Sequence, residues 1–356
     1  MAQAMSDIFN ADMLDLARGA RGMTQAEVAQ AAGVSQAMLS KVENRLLPPT
    51  LELADRLAQA LRFPVAFFYQ VERAHGFPHY NHRKRAALGA RPLAKIHAVI
   101  NIRRQHIAKL LKSYGGEVEK PIPTFDLDEK GIGAADAARM VREYWMLPRG
   151  PVDSVTAAIE GGGGIVVVSD FGTPLIDGVS FRASGLPPIF VMNSEVPGDR
   201  YRFSLAHELG HMVMHALPGE DEEMERQANE FAAAFLMPPA EIKPHLTPPS
   251  IEKFGRAKSY WKVSIKAMIR RARDLRLMSP DDYKRLSIAY SKAGYGRGEP
   301  FPLVCESPAL LPSMIEFHMR NLRYSVADLA SLLLIQEDDL RAAYLPRRHL
   351  ELVVSK

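Results

Sequence analysis

Residues 202–215 read RFSLAHELGHMVMH, and residues 225–238 read ERQANEFAAAFLMP. Apolar residues recur at helical spacing in both, and Pro238-Pro239 closes the second, so two successive helices are expected. In the first, His207 and His211 stand four residues apart, one turn along the same face, where both imidazoles can reach one ion. Glu208 lies between them, placed to take a proton from a water that the metal makes acidic. The spacing points to a zinc-dependent hydrolase with Glu208 as its catalytic residue. Its metal must be held by nitrogen and oxygen, because the single cysteine, Cys305, has no partner for a thiolate site. Such a site takes a third protein ligand, and the natural supply is a carboxylate from the second helix. Glu225 is that candidate. Asn229, one turn on, shares its face and can orient an imidazole, whereas Glu230 points more than a quarter turn away.

Outward from this pair, EGGGG at 160–164 followed by IVVVS reads as a turn and a buried strand, and PIFVMN at 188–193 as a second strand. Taken with the flanking residues, the HELGH string, the ExxANxFAAxFLMP string and the VMN strand resemble the ImmA/IrrE family of metallopeptidases, from about Ala135 to Pro300. The resemblance implies a gluzincin-like domain with a small sheet packed on the active-site helix, zinc held by His207, His211 and Glu225, and an edge strand that binds an extended peptide. Residues 165–169 or 179–181 are candidates for that edge. Peptide hydrolysis also needs a group that stabilises the oxyanion. His215, Tyr201 and Tyr260 are candidates, each also readable as structural.

The segment RGMTQAEVAQAAGVSQAMLSKVENRLLPPTLELADRLAQALRFPVAFF, residues 21–68, shows two short helices around Ala32-Gly33-Val34, with Thr24 and Ser35 at N-cap positions. This is helix-turn-helix spacing, in which the second helix enters the major groove. Through Gln25, Ala29, Gly33, Val34, Ser35, Leu39, Glu43, Pro49 and FPVAFF it resembles the lambda-repressor-like, or XRE, regulators. By position, the resemblance sets Gln25 against a phosphate, Gln36, Ala37 and Lys41 against base edges, and Ser35, Ser40, Asn44 and Arg45 against the DNA backbone. Arg45 stands where the family usually has glycine, so the reading helix must end in another way.

Charge divides the chain. Lys and Arg outnumber Asp and Glu 16 to 8 in residues 1–113 and 19 to 12 in residues 251–356, while acids lead 21 to 10 in residues 114–250. The basic ends suit a polyanion and the acidic middle does not. Residues 75–113 hold nine Lys or Arg and no acid, and read as an irregular arm followed by a helix from about Pro92 to Lys112. That helix is open to two readings, a set of phosphate contacts or a solvated basic face. His75, His79 and His82 in the arm do not share a helical face and read as loop residues. Residues 325–344 resemble a second helix-turn-helix pair, but its reading helix is acidic and suits packing or dimerisation.

No stretch is long and apolar enough to cross a membrane, and the N-terminus lacks a signal-peptide pattern, so a cytoplasmic protein is expected. The fold expected is α+β and predominantly helical. It comprises a helix-turn-helix domain over 1–73, a basic arm and connecting helix over 74–134, a metallopeptidase domain over 135–300 and a helical C-terminal domain over 301–356. The expected partners are a double-stranded DNA operator and a protein substrate such as a helix-turn-helix repressor. Palindromic operators motivate a homodimer. The alternative is a transcription factor or antitoxin-like regulator whose peptidase-like domain serves only as a sensor or dimerisation platform.

Overall fold

The computed structural model describes residues 8–72, 74, 88–116, 118–215 and 222–345. In chain order the elements are helices α1 (Ala11–Arg21), α2 (Gln25–Ala31), α3 (Gln36–Glu43) and α4 (Leu51–Leu61), a 3₁₀ turn (Val65–Tyr69), α5 (Ala90–Leu111), α6 (Leu127–Lys130), α7 (Ala134–Tyr144) and α8 (Val155–Gly161). Strands β1 (Ile165–Ser169), β2 (Gly178–Phe181) and β3 (Ile189–Asn193) follow. The chain then continues through α9 (Gly198–Met214), α10 (Glu222–Leu236), α11 (Pro239–Leu246), α12 (Ile251–Trp261), α13 (Ile265–Asp274), α14 (Pro280–Lys292), α15 (Leu310–Arg320), α16 (Val326–Leu333) and α17 (Glu337–Tyr344). The architecture is α+β and predominantly helical. No described helix is long and apolar enough to cross a membrane. The described residues form two compact units, one from 8–72, 89–116 and 310–345 and the other from 118–215 and 222–309.

The first unit is all helical. Side-chain caps start its helices: Asn10 for α1, Thr24 in a reciprocal capping box with Glu27 for α2, Ser35 for α3 and Thr50 for α4. Met13, Leu14, Val28, Leu39, Val42, Leu57, Phe67 and Phe68 fill the space between them. The α3 helix ends without glycine because Arg45 itself takes the left-handed conformation, at φ +58°. Its N–H donates to the Val42 carbonyl, and the Leu46 N–H reaches back to Lys41 at 2.8 Å.

The helix expected from about Pro92 to Lys112 runs over Ala90–Leu111 as α5, but its basic residues do not form one solvated face: Arg91 and Lys112 are exposed, whereas Arg104 and Lys109 are buried. Ile96, Ile100, Ile107 and Leu110 are buried, and so are Arg104, His106 and Lys109. A Cβ at Gly19 of α1 would lie 2.8 Å from the Ala94 carbonyl oxygen, so glycine is what lets α5 approach α1 this closely. Lys109 donates to Gln70 Oε1 at 2.9 Å, Arg104 pairs with Glu72 at 3.4 Å, and His106 Nδ1 meets the Tyr344 hydroxyl at 2.5 Å. The positive run misled because long basic side chains at helical spacing turn inward to acceptors that are remote in sequence. The start of the arm, with His75, His79 and His82, lies outside the described residues. Helices α15–α17 belong to the same unit as α5, with Arg21 of α1 paired to Asp339 of α17 at 2.5 Å. The second helix-turn-helix-like pair is thus a packing element.

The second unit is built around a sheet of order β1-β3-β2. The central strand β3 runs parallel to β1, with Ile165 opposite Ile189, and antiparallel to β2, with Val179 opposite Val191. All five β3 residues are buried. The irregular segment after α14 is fastened by two acids. Glu299 accepts from the N–H groups of Ile265 and Lys266 at the start of α13 and pairs with buried Lys258 at 2.9 Å. Glu306 accepts from Ser154 Oγ and from the N–H groups of Val155 and Thr156 at the start of α8, and it pairs with buried Arg202. Each carboxylate therefore caps the N-terminus of a helix and neutralises a cation held away from water.

Removing Glu306 strands the Arg202 charge together with the donors at α8. Glu306→Ala is expected to destabilise this unit by about 3–5 kcal/mol in urea unfolding, whereas substitution of an exposed acid such as Glu252 costs under about 0.5 kcal/mol. In the first unit, burial pushes the Lys109 ammonium down to about 7 from its ordinary 10.5. The unfolded chain therefore holds that proton over a pH range in which the folded chain has released it, and stability rises with pH from about 7 towards 10.5. Lys109→Met should accordingly stabilise the protein more at pH 6 than at pH 10 in paired denaturant melts.

Candidate metal centre and nucleic-acid interface

Leu205, Ala206, Leu209 and Val213 of α9 point into the core of the second unit, and Phe231, Ala232, Ala234 and Phe235 of α10 pack into the same core. The two helices cross where Gly210 meets Phe231. A Cβ on Gly210 would lie 3.1–3.2 Å from the Phe231 side chain, so the glycine within HELGH permits the approach that carries Glu225 to the histidines.

There the His207 and His211 Nε2 atoms lie 3.0 Å apart. The Glu225 carboxylate is 3.7 Å from the first and 3.5 Å from the second. All three side chains are half-buried, at 13%, 22% and 25% exposure. Two ligands held at about 2.0–2.2 Å from a tetrahedral ion lie roughly 3.3–3.5 Å from each other. The cluster fits that spacing, and two imidazole nitrogens turned on one carboxylate are a donor set for a borderline-soft cation. It is the group of potential metal ligands found among the described residues.

Glu208 sits beside this cluster, and its Oε2 accepts a hydrogen bond from Ser180 Oγ at 2.6 Å. Ser180 lies on β2, an outer strand of the sheet, so β2 is the edge that adjoins the site, and β1 lies on the far side of β3. Arg182, just past β2, donates to the Met212 carbonyl at 3.0 Å and fastens the same edge to α9. Sequence reasoning missed Ser180, since no spacing rule links position 180 to position 208. Behind the cluster, His211 Nδ1 meets His215 Nδ1 at 2.9 Å, and His215 Nε2 meets Gln227 Oε1 at 3.0 Å. Burial holds the His215 imidazole below its ordinary pKa.

Other expected residues lie differently. The Asn229 amide donates to the Glu225 backbone carbonyl at 2.7 Å, within its own helix, and the side chain next to an imidazole of the cluster is His215. Glu230 pairs with Arg226 at 3.2 Å. The Tyr201 hydroxyl is buried beside Thr156 Oγ1 at 3.3 Å, and burial pushes it up to about 12. Tyr260 is exposed and stacks on His245 at 5.6 Å.

In the first unit, Ser35 Oγ caps α3 by accepting from the Met38 N–H at 3.2 Å, and Gln36, Ala37 and Lys41 are exposed along the helix it starts. Ser40 is half-buried, and its backbone carbonyl receives the exposed Asn44 amide at 2.8 Å. Two of the expected phosphate contacts are engaged within the chain. Gln25 donates to Glu43 at 2.5 Å, and the Arg45 guanidinium pairs with Asp12. Glu43 also takes Arg18 at 2.7 Å, so one acid ties α1, α2 and α3 together.

Residues 163–273, from just before β1 to the end of α13, match a peptidase family model described as an IrrE N-terminal-like domain. Residues 14–68 match a helix-turn-helix model. The chain carries both: a DNA-binding helix-turn-helix domain of XRE type and an IrrE/ImmA-like peptidase domain. No curated protein matches the chain. If the crossing at Gly210 sets the site, Gly210→Val should force Phe231 away and cost about 1–3 kcal/mol of stability by overpacking. It should also weaken zinc uptake, read by elemental analysis after dialysis, relative to Gly161→Ala, where an added Cβ meets nothing within 4 Å.

Proposed function

We propose that the chain is a DNA-targeted, zinc-dependent endopeptidase. Its peptidase segment spans about residues 135–300, and its DNA-binding segment spans residues 1–73. His207, His211 and Glu225 hold the zinc, and Glu208 is the general base. The observation that carries this reading is the 2.6 Å hydrogen bond from Ser180 of β2 to Glu208, which ties an outer strand of the sheet to a carboxylate next to the His207, His211 and Glu225 cluster.

When bound, zinc would lower the pKa of a water and polarise the scissile carbonyl. The chain's own residues supply the rest. The outer edge of β2 offers backbone N–H and C=O groups to an extended peptide, which pairs with it as an added strand. Glu208 takes the proton of the attacking water as its oxygen bonds to the carbonyl carbon, and it returns that proton to the departing amide nitrogen as the C–N bond breaks. Ser180 keeps the Glu208 carboxylate turned toward the substrate edge.

On DNA, Gln36, Ala37 and Lys41 face base edges, with Gln36 suited to adenine and Lys41 to guanine, while Ser35, Ser40 and Asn44 meet phosphates. Gln25 and Arg45 join them once DNA phosphates compete with Glu43 and Asp12. Two copies on a palindromic operator, and a helix-turn-helix repressor as the protein substrate, complete the proposal. Brought to an operator, the peptidase meets its substrate where that substrate is bound, and cleavage relieves repression.

The test is a double dissociation in the full-length protein. Glu208→Gln should retain zinc and DNA binding but lose about 10²–10⁴-fold in cleavage of a mixed peptide library read by mass spectrometry. Lys41→Ala should keep cleavage and lose affinity for sites selected from a random DNA pool. Zinc-loaded wild type that leaves the library and candidate repressors intact would reject the enzyme reading and favour a regulator with a sensing domain.

A further inference from the structure

We propose that His215 is a positioning residue for the metal centre, fixing the tautomer of His211 through a hydrogen-bond chain that ends on the Glu223 carboxylate. The inference rests on the reading of His207, His211 and Glu225 as metal ligands.

Four contacts form the chain. His211 Nδ1 lies 2.9 Å from His215 Nδ1, and His215 Nε2 lies 3.0 Å from Gln227 Oε1. Gln227 Nε2 donates to Glu223 Oε1 at 3.1 Å, and Arg226 holds Glu223 from the other side at 2.8 Å. The far end sets the direction. A carboxylate only accepts, so Gln227 must turn its NH₂ to Glu223 and its oxygen to His215. His215 Nε2 must then carry the proton, which leaves its Nδ1 as a bare acceptor. His211 Nδ1 is the only group at that contact able to donate, so it carries the proton of the neutral imidazole. The His211 lone pair is thereby placed on Nε2, the atom that faces His207 Nε2 at 3.0 Å and Glu225 at 3.5 Å.

Backbone geometry makes the arrangement specific. His215 is the residue that ends α9, at φ −114° and ψ 92°, and its N–H closes on the His211 carbonyl at 3.0 Å. Gln227 and Glu223 project from the first turns of α10, the helix that also supplies Glu225. One crossing of two helices therefore delivers both a third ligand and the partner that orients the second ligand. A ligating imidazole whose other N–H is fixed by an acceptor is a stronger, better aimed donor, and loss of such a partner typically costs 10–100-fold in metal affinity.

The test uses the full-length protein, with Zn²⁺ affinity measured in competition with a chromophoric chelator and the Co²⁺ absorption spectrum as a second readout. His215→Ala and Gln227→Leu are expected to lose about 10–100-fold in Zn²⁺ affinity and to alter the Co²⁺ bands, with the metal-free urea midpoint unchanged. In His215→Asn the amide oxygen can take the place of Nδ1 as acceptor, so most of the affinity should return. A His215→Ala protein that binds as wild type does, or a folded His215→Asn no better than His215→Ala, would overturn the proposal. His207→Ala keeps the two ideas separable. Wild type that binds Zn²⁺ no better than His207→Ala would refute the metal centre itself, whereas a normal His207→Ala loss with an unaffected His215→Ala would refute only the positioning role.

Discussion

Two imidazoles on one helix meet a carboxylate only where a second helix delivers it, and here Glu225 comes on α10, which crosses α9 at Gly210 over the Phe231 ring. Much of the second unit follows from keeping that crossing in place. Leu205, Leu209 and Val213 below α9, and Phe231 and Phe235 below α10, are all buried in one continuous core. Their burial supplies the stabilisation, at about 25 cal/mol per Å² of apolar surface removed from water, that offsets turning two imidazoles and a carboxylate toward one another. The same crossing brings Gln227 and Glu223 behind His211, and the antiparallel pairing of β2 with β3 brings Ser180 against Glu208.

Charge is used differently in the two units. In the second, Glu299 and Glu306 each cap a helix and neutralise a buried cation, so a segment with no regular structure is fastened to α8 and α13. In the first, Arg104, His106 and Lys109 are drawn into the core beside Gln70, Glu72 and Tyr344. Those buried side chains are turned inward rather than offered to a polyanion.

What the sequence made legible was local. The spacing of His207 and His211, the caps at Thr24 and Ser35, the strand at 165–169 and the helix that closes before Pro238 each depend on residues within a few positions of one another, whereas the helix over Pro239–Leu246 was not read from the sequence. Glu225 was picked out because the next helix is the natural source of a carboxylate and because the string it opens resembles the ImmA/IrrE motif. Ser180, Gln227 and the inward turn of Lys109 were not, since each depends on a partner 12 to 39 residues away whose position is set only when the helices pack. Asn229 illustrates the limit of phase arguments. It shares a face with Glu225, yet its amide has a nearer acceptor in the carbonyl one turn back.

The central claim is a nitrogen and oxygen site made of two imidazoles and one carboxylate. Zinc X-ray absorption on the full-length protein tests it most directly. The account predicts a first shell of nitrogen and oxygen at about 2.0–2.1 Å, with outer-shell scattering from two imidazoles that falls to one in His211→Ala. A sulfur shell at about 2.3 Å, or an imidazole count unchanged in His211→Ala, would contradict it.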